Sequence, residues 1–393
     1  MSNTEQNQPL SRFILLLMTA SIAAMAANLY YSQPILPLIG KSFNLEDSQL
    51  GSIPALTQFG YAVALLFISP LGDSIPRRYL ISVLSSLLVI ASVIATFAPN
   101  LTVLLFAVFL IGLSANIAQQ LIPFAASMVT AEKKGAILGT LMMGLTIGIL
   151  LSRTVSGLVG EQFGWRSVFI MSAILGVVFG TLQSVFLPMN QPQTDLRYWP
   201  LIKSTVVLML KHKSLQIYTA SGALWFASFN ALWATLAIYV SEDPFRYDAQ
   251  EAGLFGVIAL AGVIGAKASG KFVNKLGSKT LVFIALILGV LGFAVTGLFS
   301  GSLVSLIVGI ILIDFAVFSA QVANQVRVFN IDPAAQSRMN GIYMLGYFFG
   351  GALGSFSGVK AFALYQWNGV VMVSIAFLLI SALINSFAKN TRY

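Results

Sequence analysis

Two charged residues stand where charge is least expected: Asp314 and Arg153 both lie inside apolar stretches of membrane length. An ionised carboxylate without a partner is costly in hydrocarbon. Asp314 is therefore expected to cycle between protonated and charged forms, to anchor a cationic solute, or to be a buried structural carboxylate. Counted from residue 302 at ~1.5 Å per residue, it lies ~18 Å deep, about mid-membrane. Arg153 lies ~7 Å from the end of its own stretch, so the two differ in depth by ~10 Å. Direct pairing would need the long Arg side chain to reach inward; otherwise Arg153 snorkels to the interface. Arg327 sits farther along the stretch of Asp314, ~20 Å away, and is no partner for it.

Amides and aromatic rings gather on the stretches around these charges. The first carries Asn28, Tyr30, Tyr31 and Gln33, and the fourth Asn116, Gln119 and Gln120. The seventh carries Trp225, Phe229, Asn230 and Trp233, with Asn230 the repeat partner of Asn28. The tenth adds Phe318, Gln321, Asn324 and Gln325, and the eleventh Tyr343 and Tyr347. Amides in hydrocarbon seek partners or a cavity, and aromatic faces stack on amphiphilic or cationic solutes. Some of these rings face lipid or belong to interfacial belts.

The elements that carry these residues are legible from composition. The 393 residues are 57% hydrophobic and only 9% charged, a balance that points to lipid as the solvent. Polar breaks separate twelve apolar runs, near 12–38, 48–70, 79–98, 101–128, 135–158, 166–188, 214–240, 249–269, 280–299, 302–328, 338–362 and 368–388. Each is long enough to span a core of ~30 Å, and backbone amides in lipid must satisfy themselves, so helices are expected. The first run is too long for a signal-peptide core and is expected to stay. Seventeen Lys and Arg fall on one side of this topology and four on the other. That bias puts both termini in the cytoplasm and accounts for the net charge of +9 without nucleic acid. There is no Cys, and His212, the one His, sits between two lysines in a loop. Thiol chemistry and Cys/His metal centres are excluded, and no cofactor or metal is expected. The spacing Gly265 to Lys271 mimics a phosphate loop, but Phe272 stands where Ser or Thr would hold magnesium.

The runs also repeat. Gly144, Gly148, Ser152 and Ser156 recur about 202 residues later as Gly346, Gly350, Gly354 and Gly358. Gly139 recurs as Gly341, Trp165 as Trp367 and Gln119 as Gln321. Two like halves in a membrane protein imply a secondary transporter with its solute held between them. The small-residue stripes let helices approach closely, either as static packing or as smooth faces that let bundles rock. We expect a cytoplasmic tail at 1–11, six-helix bundles at 12–188 and 214–388, a linker at 189–213 with an amphipathic helix, and a tail at 389–393.

Two loops on the basic side carry a shared pattern. Ser69-Pro-Leu-Gly-Asp73-Ser-Ile-Pro76-Arg77-Arg78 aligns with Gly270-Lys-Phe-Val-Asn274-Lys275-Leu-Gly277-Ser-Lys279. A tight turn of this kind joins two helices while its basic pair anchors to anionic lipid. The pattern resembles the loop signature of the major facilitator superfamily, G-x-x-x-D-(R/K)-x-G-x-(R/K)-(R/K), with Ser69, Ser74 and Pro76 as departures. The resemblance implies an all-α integral membrane protein of twelve transmembrane helices in two pseudo-symmetric six-helix bundles. It also implies gating by Asp73, Arg77, Arg78, Asn274, Lys275 and Lys279, with Asp73 capping the helix that starts near Ser337 to Asn340. Otherwise Asp73 is a loop residue paired with Arg77 or Arg78. The run Asn28-Leu-Tyr-Tyr31-Ser-Gln33-Pro34 is similar to bacterial drug:proton antiporters and sugar-efflux-like members. Val108 stands where that branch often has Arg, and its G-x-x-x-G-P-x-x-G-G pattern is absent around Gly148 to Gly157. Asp314 and Arg153 are thus candidates for a different proton coupling.

The expected activity is export of a small amphiphilic organic solute by alternating access, driven by protons, from the bacterial inner membrane as a monomer. Uptake or facilitated passage of a sugar or other metabolite, with Asp314 structural, is the alternative. A non-transporting sensor or scaffold has no soluble domain to signal through, and no nucleophile–base pair suggests an enzyme.

Overall fold

The computed structural model describes residues 10–189, 198–259, 262, 276–332 and 336–388. Its regular elements are helices: α1 (Arg12–Ala27), α2 (Leu36–Phe43), α3 (Ser52–Phe67), α4 (Arg77–Thr96), α5 (Leu101–Ser114), α6 (Ile117–Ser127) and α7 (Ala131–Phe163). There follow α8 (Trp165–Phe186), α9 (Tyr198–Lys211), α10 (Lys213–Ser241), α11 (Ala249–Ile258), α12 (Ser278–Leu298), α13 (Leu303–Phe329) and α14 (Gln336–Ser386). Two single turns, Asp47–Leu50 and Leu71–Ser74, remain unlabelled. Among the described residues, nine helical segments are long and apolar enough to cross a membrane. The far part of the run at 249–269 lies outside the described residues, as do Asn274 and Lys275.

Helix starts follow the side chains available. Ser11, Asn100 and Ser302 each accept a hydrogen bond from a backbone N–H of the first turn, and Asp248 with Glu251 forms a capping box for α11. Two expected runs are not continuous. The run at 12–38 breaks after α1 into turns through Ile35, where Pro34 lacks the N–H that a continuous ladder requires, and resumes as α2 with Pro37 in its first turn. The run at 101–128 turns at Ala115 and Asn116 between α5 and α6. Both breaks place amides and hydroxyls at non-helical or helix-end positions within the membrane.

The repeat is physical. Gly144 and Gly148 of α7 lie on Thr19 and Ala23 of α1, while Gly346, Gly350 and Gly354 of α14 lie on Thr219, Ala223 and Ala227 of α10. A Cβ at Gly148, Gly350 or Gly354 would strike the backbone of the facing alanine, so nothing larger than glycine permits the approach. This packing corrects one register. The facing residues repeat two positions short of the glycines, so Asn28 corresponds to Ser228 and not to Asn230; the chain joining the facing helices is two residues longer in the second half.

Each half also turns the same corner. Gly164 (φ 82°) precedes α8, and Gln366 (φ 53°, ψ −152°) breaks α14 at the equivalent position, after which Trp367 repeats Trp165. Glycine occupies such a conformation freely; glutamine holds it at a cost.

Candidate functional site

Arg153 projects from α7 into the seam between α7, α10 and the broken segment after α1, where it is 1% exposed. Its guanidinium lies 4.0 Å from the Trp233 ring centroid and 4.8 Å from that of Tyr30. Nε donates to Oε1 of Gln33 at 2.8 Å. Among the described residues, Nη1 and Nη2 have no hydrogen-bond partner. Around Arg153 α11 approaches α7 closely because it presents glycines: a Cβ on Gly256 would sit 3.1 Å from the Arg153 Cβ, and one on Gly253 would press on the Arg153 carbonyl.

Asp314 of α13 is fully buried, and its Oδ1 accepts the indole N–H of Trp233 at 3.2 Å. Oδ2 has no hydrogen-bond partner among the described residues. No ion pair within 4.0 Å joins Asp314 to Arg153 among those residues. Instead Trp233 bridges them, offering its face to the cation and its N–H to the carboxylate. A desolvated cation on an aromatic face is worth ~2 kcal/mol, which offsets part of the cost of burying it.

An aromatic column continues from Trp233. Phe229 is 6.2 Å from it, Phe226 5.6 Å from Phe229, and Tyr347 is stacked on Phe226 at 3.8 Å. Phe318 packs edge-on to Phe229 at 6.1 Å. At the far end the Tyr343 hydroxyl donates to Oε1 of Gln321 at 2.5 Å. Phe348 joins this column to Tyr61 of α3 at 4.3 Å, and Gln119 donates to the Tyr61 hydroxyl at 2.9 Å. Tyr61, Phe226 and Phe348 were missed in the sequence because hydropathy does not tell a seam-facing ring from a lipid-facing one.

Other candidates are engaged elsewhere. Asn28 accepts from Ser172 of α8 at 2.5 Å, and Ser172 meets Ser92 of α4, so this amide ties three helices of the first half. Asn116 bonds Ser69 at 2.9 Å, and Gln120 accepts from Arg77 at 3.2 Å, so both hold the loop before α4. Trp225 lines the packing between α10, α12 and α13. Asn230 donates to the Phe226 carbonyl at 3.0 Å, and Tyr31 is buried. Arg327, with Asn324 and Asn385, ties α13 to the end of α14.

Among the described loop residues, the hydrogen bonds of Asp73, Arg78 and Lys279 stay within their own half, while Asp73 also faces the second half across a cleft. Asp73 accepts from Arg77 at 2.6 Å and shares a cleft of about 90 Å³ with Arg338. Arg78 donates to the carbonyls of Leu187, at 2.8 Å, and Ser184, at the end of α8. Lys279, its repeat partner, donates to the carbonyl of Ser386 at 2.7 Å, at the end of α14. Each cation thus caps the carbonyl end of the last helix of its half.

At the opposite face, made acidic by Asp47, Glu161, Glu242 and Asp248, α7 and α11 are in contact. Glu161 Oε2 accepts the Ala249 N–H at the start of α11 at 3.1 Å, and Thr154 donates to the Gly253 carbonyl at 3.0 Å. A Cβ on Gly157 would strike the Ala249 carbonyl. Nearby, a Cβ on Gly51 would collide with Val359 and with the Ser355 carbonyl. This face is closed.

Paired helical stripes, an intramembrane cation and carboxylate joined by one indole, and a sealed face define a solute transporter and not an enzyme. The chain belongs to the Major Facilitator Superfamily, whose profile matches residues 16–355. It is 34% identical over 381 residues to the uncharacterized transporter YgaY of Escherichia coli O157:H7, covering 97% of each chain. In fold it is similar to the nucleoside transporter NupG in a mutant form, with a TM-score of 0.78 at 16% identity over 95% of this chain and 99% of that one. It is also similar to a D-xylose-proton symporter, with a TM-score of 0.76 at 15% identity over 96% of this chain and 98% of that one.

Proposed function

We propose that this membrane protein is a proton-coupled secondary transporter of a small organic solute, in which solute and proton meet around Arg153, Trp233 and Asp314. The observation that carries this reading is the Trp233 bridge, which sets a carboxylate of the second half beside a cation of the first. The bundles at 12–188 and 214–388 would be the moving bodies. Opening the acidic face would part Arg153 from Trp233 and change how Asp314 holds its proton. Coupling needs such a difference between states, since a ligand shifts an equilibrium only by its differential affinity. The basic face is the cytoplasmic one in this reading, with the protein in a bacterial inner membrane and both termini in the cytoplasm. Export of an amphiphilic solute in exchange for protons is the form that the sequence resemblance implies; it requires solute and proton to exclude one another.

The test is proton exchange by purified protein in weakly buffered detergent on addition of solutes, for the wild type and Asp314→Asn. Release on binding supports exchange, and uptake supports cotransport. Either must vanish in Asp314→Asn with binding kept. Binding without proton movement in the wild type would make Asp314 structural. That outcome favours a second reading, passage of a sugar or other metabolite, which the fold shared with nucleoside and sugar transporters supports.

A further inference from the structure

The surroundings of Arg153 point beyond coupling to the chemistry of the solute. Two rings lie against its guanidinium, Trp233 at 4.0 Å and Tyr30 at 4.8 Å, and Nε is committed to Gln33. What remains is the pair of terminal nitrogens, coplanar donors that are buried and without a partner among the described residues. Gln33 adds a further donor: with Oε1 taken by Arg153, its Nε2 is likewise buried and unpartnered. Against these donors the site offers one acceptor without a partner on the nearby carboxylate, Asp314 Oδ2, and that carboxylate lies beyond 4.0 Å from Arg153.

We propose, building on the reading of this seam as the transport site, that the solute carries a carboxylate which docks on the Nη1/Nη2 fork of Arg153. A planar fork of two N–H groups matches the two oxygens of a carboxylate, and such bidentate pairs are the strongest hydrogen bonds a side chain offers. Neutral solutes leave the cation unneutralised, and cationic solutes meet repulsion from it. The column from Trp233 through Phe229 and Phe226 to Tyr347 receives the apolar body of the solute, so an aryl carboxylate fits both parts. A second consequence concerns the proton. A carboxylate on Arg153 beside an ionised Asp314 would set like charges together in a low-dielectric seam, so solute and proton enter together. The resulting coupling is cotransport and not exchange.

The test uses full-length protein in weakly buffered detergent, with acetate, benzoate and phenylacetate as carboxylates, phenylacetamide as the neutral isostere and benzylamine as the cation. Binding is read by tryptophan fluorescence and calorimetry, and proton movement by a pH dye. At least one aryl carboxylate should bind, with proton uptake, about ten- to a hundredfold more tightly than its amide, the worth of a charge-assisted contact. Arg153→Gln should abolish that preference. Arg153→Lys, which keeps the charge and loses the fork, should fall between, and thermal melting confirms that each variant is folded. Failure of every carboxylate to bind at millimolar concentration, or binding no tighter than the amide or weaker than benzylamine, overturns the inference. The two readings fail separately. Carboxylate preference without proton movement keeps the Arg153 assignment and removes Asp314 as the proton site. Proton release with benzylamine, lost in Asp314→Asn, does the reverse.

Discussion

Replacing Gly157 by Ala should drive the protein away from the arrangement in which its acidic face is sealed. A Cβ at Gly157 would collide with the carbonyl of Ala249 and lie 3.1 Å from Cα of Gly253. Both obstacles are backbone of a neighbouring helix, so no rotamer change relieves them. Overpacking of this kind costs about 1–3 kcal/mol. The cost falls only on the state in which α7 and α11 touch, so it becomes a population shift of ~5–150-fold toward opening. The hydrogen bonds of Glu161 and Thr154 to α11 break in the same opening and share its cost. The chain has no Cys, so spin labels at Phe163→Cys and Glu251→Cys report this distance without background. Wild-type protein should give a short distance, and Gly157→Ala a second, longer one. Gly148→Ala is the control, because its obstacle, Ala23, lies within the same half and moves with it. It should lower the melting temperature and leave the distance ratio unchanged. An unaltered distribution in folded Gly157→Ala would refute the reasoning.

Three further outcomes are expected. Burial and the charge of Asp47 push the Glu242 carboxyl up in the closed arrangement, so protonation at Glu242 favours closure at low pH and that favour is lost as pH rises through its titration. Glu242→Gln should therefore hold the face closed to higher pH in the same spin-label assay, with Lys41, Glu161 and Asp248 around the adjoining cleft left intact. Gln366→Gly relieves a positive φ that glycine adopts freely at the matching Gly164, and should raise thermal stability by ~1 kcal/mol. Arg78→Ala removes charged caps from the Leu187 and Ser184 carbonyls; it should cost about 1 kcal/mol after solvent screening, read as a lower melting temperature, with the sign of proton coupling unchanged.

The sequence by itself determined the class of the protein. Apolar runs in lipid must become helices because unpaired backbone groups there have no water, so an all-helical fold follows from composition alone. The glycine stripes were legible for a similar reason: a close helix crossing requires small residues at fixed spacing, whichever helix lies opposite. Asp314 and Arg153 stood out because charge in hydrocarbon is costly. Pairing, direction and partner were decided only by the tertiary structure. Depth counted along two separate helices put ~10 Å between Arg153 and Asp314, whereas the folded chain brings both onto one indole, because α10 places Trp233 between them. Asn28 and Asn116 read as site residues, yet helix rotation turns one toward Ser172 and the other toward Ser69. The closing contact of Glu161 on α11 has no local signature, since the N–H it accepts belongs to a helix about 88 residues away. A side chain's type and its cost of burial are local properties, whereas the neighbour that offsets that cost is supplied by packing between helices distant in the chain.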